Sequence, residues 1–580
     1  MERIAILRFE NLGADASSDL TSDDWMGRAF SDIVTSELGG APGVYAIPAM
    51  RIHAVAAGMG ARPVGAPGIS AERTAALAAG ATKIAFGQYA VRGGVLEARM
   101  TVEDELTGKM TVLNPVSAPS ADIVSAASAL ARQISAAVSP YGTRNPLVLE
   151  AHVKAFEHID SPGVAEDLEK AIAADPNFGP AYRELAQLKI QQKDIAGARE
   201  LLARALARGK AIPDGERALI QLEDANLRSD SPARMEALAA LSAADSRDPA
   251  VWHDLAAASV AAHRYPQAVE AYRKAVAIQP DDADLWNQLA YAAAYAGDAA
   301  TAARAVGQYR KLMPDSPNAI DSAGDIDLIG GRLAQAEQSY LQSARKNPEF
   351  YGGLDFLKAA MAHLMTGDTS GADALAQQFF DARAAAKDPA VEYRKAQWAW
   401  IGGRRKAACE QMAKLAHATE TGAARAVAVH AYAELAMWTL MSGNRESASD
   451  LARKAAELAK PASTVQATLA RFLSQSQASP EEWQARARTL VPDPAQSAIA
   501  NVALADALLL GKEFAAALPI LQTMYDGGNA SADEGLPVLL AWADVETGHI
   551  AEAGALQRYN PPLSDTGLSW STPFYFPRIF

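Results

Sequence analysis

One cysteine, Cys409, stands in 580 residues. A lone thiol forms no intrachain disulfide and no Cys-rich metal centre, and within Arg405-Lys406-Ala407-Ala408-Cys409-Glu410 it reads as a small helix residue. No uncharged apolar run reaches the length of about 18 residues that a membrane-spanning helix needs. Excess positive charge is also missing. Lys and Arg number 54 against 68 Asp and Glu, a net charge of -14. Up to Glu150 the balance is 12 to 15, and beyond it 42 to 53. The electrostatic footprint of a nucleic-acid binder is therefore absent, and an anionic membrane surface is a poor partner. Aromatics are only 7%, although 49% of the chain is hydrophobic and 21% charged. That is a globular composition, with alanine filling the space aromatics leave, as in closely packed helices. Met1-Glu2-Arg3 leads at once into a strand-like run and does not read as a signal peptide. A chain trimmed from a longer one would start the same way. Cytoplasm and periplasm both fit.

Catalytic signatures are missing too. The nine histidines are scattered, with no H-E-x-x-H, and His253 and His263 lie ten apart rather than at the i, i+4 spacing of helical metal ligands. There is no G-x-S-x-G elbow, no phosphate-binding G-x-x-x-x-G-K-[ST] loop and no kinase signature. The Gly-, Ala- and Pro-rich stretch from Met50 to Gly68 puts Pro63 where a dinucleotide loop needs its third glycine, so it is expected to be a mobile loop. Asp281, Asp282 and Asp284 lack the glycine and distal Glu of a calcium loop, and suit a helix start instead. No catalytic residue, cofactor or metal is expected.

What is present falls into two periodicities. Residues 3–142 mix strands and helices. Ile4 to Phe9 is an apolar strand, Asp23 or Asp24 caps a helix to about Leu38, and Val44 to Ile47 is a second strand. A helix runs from Ser70 to near Gly80, and strands follow at 83–91, 95–103 and 110–113. Gly93-Gly94 and Leu106-Thr107-Gly108-Lys109 form the hairpin turns. A final amphipathic helix, 121–138, ends before Pro140. The order βαβαβββα predicts an α/β domain of mixed sheet and helices.

Three segments of this region carry a resemblance: Ile4-Ala5-Ile6-Leu7-Arg8-Phe9-Glu10-Asn11-Leu12, Gly80 through Tyr89 in the form GATKIAFGQY, and Met100 through Lys109 in the form MTVEDELTGK. Together they resemble the TolB amino-terminal-like family of bacterial envelope and signalling proteins. The likeness covers about a quarter of the chain. It departs from the family at Met110-Thr111-Val112, where an aromatic usually follows the turn. The resemblance implies a non-catalytic domain and hands over no active-site residues.

After Thr143 the pattern is helical to about Tyr559. Trp252 and Trp286 are 34 apart, as are Leu255 and Leu289, Ala268, Ala302 and Ala336, and Pro280, Pro314 and Pro348. Trp252, Leu255, Ala268, Tyr272, Ala275 and Pro280 stand in the order of a tetratricopeptide (TPR) repeat, followed by Trp286, Leu289, Ala302, Val306 and Pro314, then Ala336, Tyr340 and Pro348. Small alanines let paired helices approach, aromatics fill between them, and proline forces the turn into the next unit. An earlier unit shows in Tyr182, Leu185, Ala198, Leu202 and Ala205. Later columns drift, but Gly367-Asp368, Gly402-Gly403, Gly443-Asn444, Gly511-Lys512 and Gly548-His549 sit where the turn inside each pair belongs.

The expected architecture is a multidomain chain: a TolB-like α/β domain over 1–142, TPR repeats over 143–350, degenerate TPR-like repeats over 351–560, and a tail or cap over 561–580. In such a right-handed superhelical solenoid the first helix of each pair lines the concave face. Counting from the Trp columns puts His253 and Ala257, then Asn287, Tyr291 and Tyr295, then Asp321 and Asp325, then Asp355 and His363 on that face. Tyrosines also pack between helices, so Tyr291 and Tyr295 read equally as core. The two aspartates stand where a clamp for acidic tails would need positive charge, which points to a neutral or basic protein segment. The reading is a non-enzymatic interaction scaffold whose groove takes part of another protein or another domain of its own polypeptide. Two rivals are the regulatory half of a signalling protein whose effector (kinase, cyclase or transcription regulator) lies elsewhere, and an enzyme with a site between domains.

Overall fold

The computed structural model of the chain describes residues 1–13, 25–58, 71–159, 161–244, 247–459, 465–474, 479, 481–482, 485, 497–526 and 536–556. The caps Asp23 and Asp24, the glycine-rich stretch beyond Gly58 and the aromatic tail lie outside them. By packing the chain divides into two compact units, Met1–Ala258 with Glu270–Asp282, and Ser259–Val269 with Ala283–Phe580.

The first unit begins with an α/β region of strands β1 (Glu2–Ile6), β2 (Glu10–Asn11), β3 (Val44–Ala46), β4 (Lys83–Arg92), β5 (Val95–Asp104), β6 (Met110–Val112) and β7 (Val116–Pro119). Helices α1 (Trp25–Leu38), α2 (Ala49–Gly58), α3 (Ala71–Ala78) and α4 (Ile123–Ile134) accompany them. The sheet runs β3-β1-β4-β5-β6, with β2 beside β4 and β7 beside β5. β1 pairs parallel with β3 and β4, while β4 and β5 form a long antiparallel hairpin from Lys83↔Asp104 to Arg92↔Val95. Gly93 and Gly94 close it with φ of 56° and 78°, the left-handed pair a two-residue hairpin loop requires. Alternation along β5 buries Leu96, Ala98 and Met100 on one face. That face shares a core with Phe9, Phe30, Ile33 and Leu130, and the opposite face packs Ala5, Tyr45, Ile52 and Ile84 together.

Two expectations need correcting here. The stretch read as a loop from Met50 forms helix α2 as far as Gly58, because Ile52 finds a buried place, 3% exposed, against the sheet. The last helix ends at Ile134, well before Pro140: the chain turns extended at Ser135, φ -144° and ψ 133°.

Among the described residues, the chain after residue 145 is built of helix pairs joined by short turns. In the first unit, helices Pro146–His158 and Val164–Ala174 are followed by Gly179–Gln191 with Ile195–Leu206, and Asp214–Leu227 with Ser231–Ala244. The repeat helices complete the sheet's cores: Leu149 and Val153 join one, Ile278 and Trp252 the other. Polar contacts follow the same lines. Arg28 Nε donates to Glu157 at 3.1 Å, Tyr45 Oη to Asp248 at 3.0 Å, and Arg3 pairs with Asp281.

In the described pairs from Gly179 on, the repeat clock is the turn inside the pair. One residue there takes positive φ: Lys193, Ser229, His263, Gly297, Gly331, Gly367, Gly403, Gly443, Lys512 and Gly548. The next residue or so then caps the second helix, as Asp194, Asp298, Asp368 and Asn444 do through backbone N–H groups three residues on. The five late turns read from glycine all stand in this conformation. That is why the fold stays periodic after the Trp and Pro columns fade.

Candidate interaction surface

The expected groove residues separate into a buried set and a half-open set. In the second unit, helix Pro317–Ile329 is buried from Ala319 through Ile326, and helix Leu354–Leu364 is buried at Asp355 and from Leu357 through Ala362. Asp321 and Asp325 are each 4% exposed. Both carboxylates meet the ammonium of Lys358, at 2.6 and 2.8 Å. Tyr291 and Tyr340 each donate to Asp325 at 2.7 Å, and the Tyr340 ring lies 4.8 Å from the same ammonium. This is a self-contained polar core. The negative charge expected to attract a basic partner is already neutralised within the fold, so that reason for preferring a basic segment is withdrawn.

Electrostatics of the core follow from crowding three carboxyls around one ammonium. Burial, reinforced by repulsion from Asp325, pushes Asp321 well above the usual carboxylate range, and burial pushes Asp355 up as well. Burial opposes the charge on Lys358, but Asp325 and Asp321 outweigh it and hold the ammonium above its ordinary value.

The half-open set is spread along the chain. His253, in the first unit, contacts Asp254 at 3.1 Å and sets its ring edge-on to Tyr272 at 6.0 Å. In the second unit Asn287, Tyr291 and Tyr295 rise along one face of helix Ala283–Tyr295 and are half-buried. Tyr295 packs against Tyr265 at 5.3 Å and Tyr291 at 6.4 Å, and His263 stacks on Tyr525 at 4.1 Å. His363 sits apart, with Nδ1 2.9 Å from Glu337 and Nε2 3.0 Å from Asp368. Those partners, Asp368 first, raise its pKa.

Sequence reasoning missed two other buried polar clusters. Glu434 is fully buried and accepts from Tyr393 Oη and from Gln397 Nε2 at 3.1 Å. Burial pushes its pKa up to about 8 against those hydrogen bonds. Beside it Trp400 and Trp438 stack at 4.5 Å, their planes 3° apart. In the first unit His152 lies between Asp32 at 3.4 Å and Glu184 at 2.5 Å, with Tyr141 donating to Asp32 at 2.6 Å. Burial would lower the His152 pKa, but Glu184 and Asp32 raise it well above the ordinary value. The signal for such sites was a charged residue with apolar neighbours on both sides, as in Ala433-Glu434-Leu435-Ala436 or Leu357-Lys358-Ala359-Ala360.

A pocket of about 400 Å³ in the first unit is lined by Glu169, Leu185, Lys189, Gly197, Glu200 and Arg204 among others. Its acids and bases balance and select no ligand charge. Among the described residues no group of three or more His, Cys, Asp and Glu could hold a metal ion, and no helix is long and apolar enough to cross a membrane.

Two segments match tetratricopeptide repeat family models, residues 163–217 and 249–292. They cover the helix pairs on either side of Ser231–Ala244 and carry the columns from Tyr182 and Trp252. The chain therefore carries TPR repeats after a mixed-sheet region. Solved structures are similar over part of its length. YrrB, a TPR protein with an unusual peptide-binding site, is 15% identical over 32% of this chain and 94% of its own, with a TM-score of 0.29. The C-terminal part of a TPR protein from Cytophaga hutchinsonii is 13% identical over 38% and 88%, with a TM-score of 0.31. PilF of Pseudomonas aeruginosa is 15% identical over 35% and 90%, with a TM-score of 0.27. The repeats themselves rest on the two family matches and the 34-residue columns. No curated protein matches the chain.

Proposed function

We propose that the chain is a non-enzymatic protein-interaction scaffold that binds a protein or peptide segment on the faces of its repeats. The observation that carries this reading is the run of helix pairs closed by the same left-handed turn, with TPR matches in two places. Within a unit, stacked pairs present a preformed surface, so a partner segment meets little reorganisation cost. Asn287 and Tyr295, the latter packed against Tyr265, are the proposed contact surface of the second unit, and His253 and His363 are separate contact positions. Tyrosine there gives area at low entropy cost and suits a neutral segment. Asp321, Asp325 and the Tyr291 hydroxyl act as internal support for that surface.

The TolB-like identity of the α/β region stays part of this proposal, supported by its three sequence segments and by a mixed sheet joined to helices. A regulatory role beside an effector domain rests on that resemblance.

The test is selection of peptides from a random library on the full chain, followed by titration of the purified peptide against a Tyr295→Ala, Asn287→Ala variant that keeps its helical circular dichroism. Saturable binding weakened about tenfold or more by the variant supports the surface. Binding unchanged by the variant refutes this placement. Absence of any selected peptide counts against the scaffold reading.

A further inference from the structure

Strand β6 (Met110–Val112) stands at an outer edge of the sheet, and all three of its residues are exposed. On its inner side β5 pairs Thr101 with Val112, Val102 with Thr111 and Glu103 with Met110. Asp104 N–H donates to the Lys109 carbonyl and Leu113 N–H to the Met100 carbonyl, both at 2.9 Å. An antiparallel ladder bonds every second residue of a strand to a given neighbour. Lys109, Thr111 and Leu113 therefore face β5, and the backbone groups of Met110, Val112 and Asn114 point away from it.

The fold guards most of this outward row. The Gln133 side-chain amide accepts from Asn114 N–H at 2.8 Å and donates to the Asn114 carbonyl at 3.0 Å, standing in for a next strand. Beyond Asn114 the edge is bulged: Leu113 bonds Met100 and Val116 pairs with Ala98, so three steps of the edge span two of β5. Pro115 and Pro119 carry no N–H. These are the devices by which sheets blunt an edge. Among the described residues none of them covers Met110 and Val112, whose side chains are 57% and 73% exposed.

Charge separates the possible occupants. Arg73 already holds Glu103 at 2.8 Å and Glu105 at 2.5 Å, and Asp104 accepts from the N–H groups of Leu106 and Thr107. Arg99 shares the face of Met110 and Val112, and Lys109 stands on the other face. Both are exposed and make no ion pair among the described residues. Glu97 lies farther along, opposite Ser117 of β7. In a chain of net charge -14, this edge offers free positive charge.

We propose that β6 is a docking strand for an extended acidic segment of another protein, which joins the sheet beside Met110–Val112. The segment's backbone bonds the outward N–H and C=O groups of both residues, its alternate apolar side chains cover Met110 and Val112, and its carboxylates meet Arg99 and Lys109. A second copy of this chain brings like charge to like charge at the same edge and is disfavoured. The surface is separate from the repeats.

The test titrates a fluorescein-labelled EEVEVEE peptide into the full chain, beside its KKVKVKK counterpart, and reads anisotropy and amide exchange. Saturable binding of the acidic peptide is expected, with exchange at Met110 and Val112 slowed about tenfold or more. Val112→Pro deletes an outward N–H that makes no bond to β5, and is expected to weaken binding about tenfold or more. Arg99→Glu with Lys109→Glu changes exposed side chains only, and is expected to transfer the preference to the basic peptide. No saturable binding, protection that spares β6, binding unchanged by Val112→Pro, or a charge-swapped variant that still prefers the acidic peptide would each overturn the inference. So would a dimer in sedimentation velocity that Val112→Pro dissolves, since the occupant would then be a second copy.

Discussion

Glu434 gives the sharpest physical handle on the repeats, because its proton is held by burial. Its pKa rises from an ordinary 4.5 to about 8. Tyr393 and Gln397 both donate to the carboxylate and favour ionisation, yet the loss of water outweighs them. The direction of linkage follows. Between pH 4.5 and 8 the folded state keeps a proton that the unfolded chain has released, so stability falls as pH rises through that window and levels off above it. Across the window the loss is about 5 kcal/mol, near 1.4 kcal/mol per pH unit. Gln397 Oε1 is buried without a hydrogen-bond partner among the described residues, and rotation of that amide would let it accept the acid proton. Glu434→Gln keeps the shape and removes the titration. The assay is native-state amide exchange over Val391–Ile401 and Arg425–Met441 from pH 6 to 9, corrected for intrinsic rates, since a long array does not unfold in one step. The parent is expected to lose local stability with rising pH and the Gln variant to stay flat, crossing above the parent on the alkaline side. Equal slopes in the two proteins would refute the assignment of a buried neutral acid.

Three further outcomes follow from the same reasoning. Lys358→Met strips the only ammonium contacting Asp321 and Asp325 among the described residues and should cost about 3–5 kcal/mol in denaturant titration, with much of it restored when both aspartates become Asn. His152→Ala leaves buried Glu184 and half-buried Asp32 without their shared cation, a loss of about 3 kcal/mol below pH 6.5. Because the folded His152 pKa is raised, its stabilisation is complete below 6.5 and disappears only as pH climbs through the raised value, so parent and variant melts should converge on the alkaline side. Gly403→Ala, at φ 79° with no neighbour in the way, should cost roughly 1 kcal/mol from backbone strain alone, whereas Lys193→Gly, at φ 64°, should be neutral or slightly stabilising in thermal melts.

Much of the fold was legible because its devices are local. The Gly93-Gly94 hairpin, the alternation of β5 and the glycines at 367, 403, 443 and 548 each act through backbone geometry that a short stretch of sequence encodes. The 34-residue columns were legible because repeats must satisfy the same packing each time. What escaped was non-local. Strand β7 is short, and nothing in Val116–Pro119 announces its pairing with Val95 to Ala98. The groove assignment took helix position as a proxy for exposure. At Asp321 and Asp325 the proxy failed, because Lys358, 33 and more residues away, turns outward-reading acids into a buried pair. Asn287 and Tyr295 stay half-buried, Tyr295 packing against the rings of Tyr265 and Tyr291.

The measurement that reaches the central claim most directly is an amide-exchange footprint of the full chain with a library-selected peptide bound at saturation. The scaffold account expects slowed exchange along helix Ala283–Tyr295 and its flanking turns, including the turn at His263, with β1–β7 unchanged. Protection confined to the α/β region, or none in any helix pair, would contradict it.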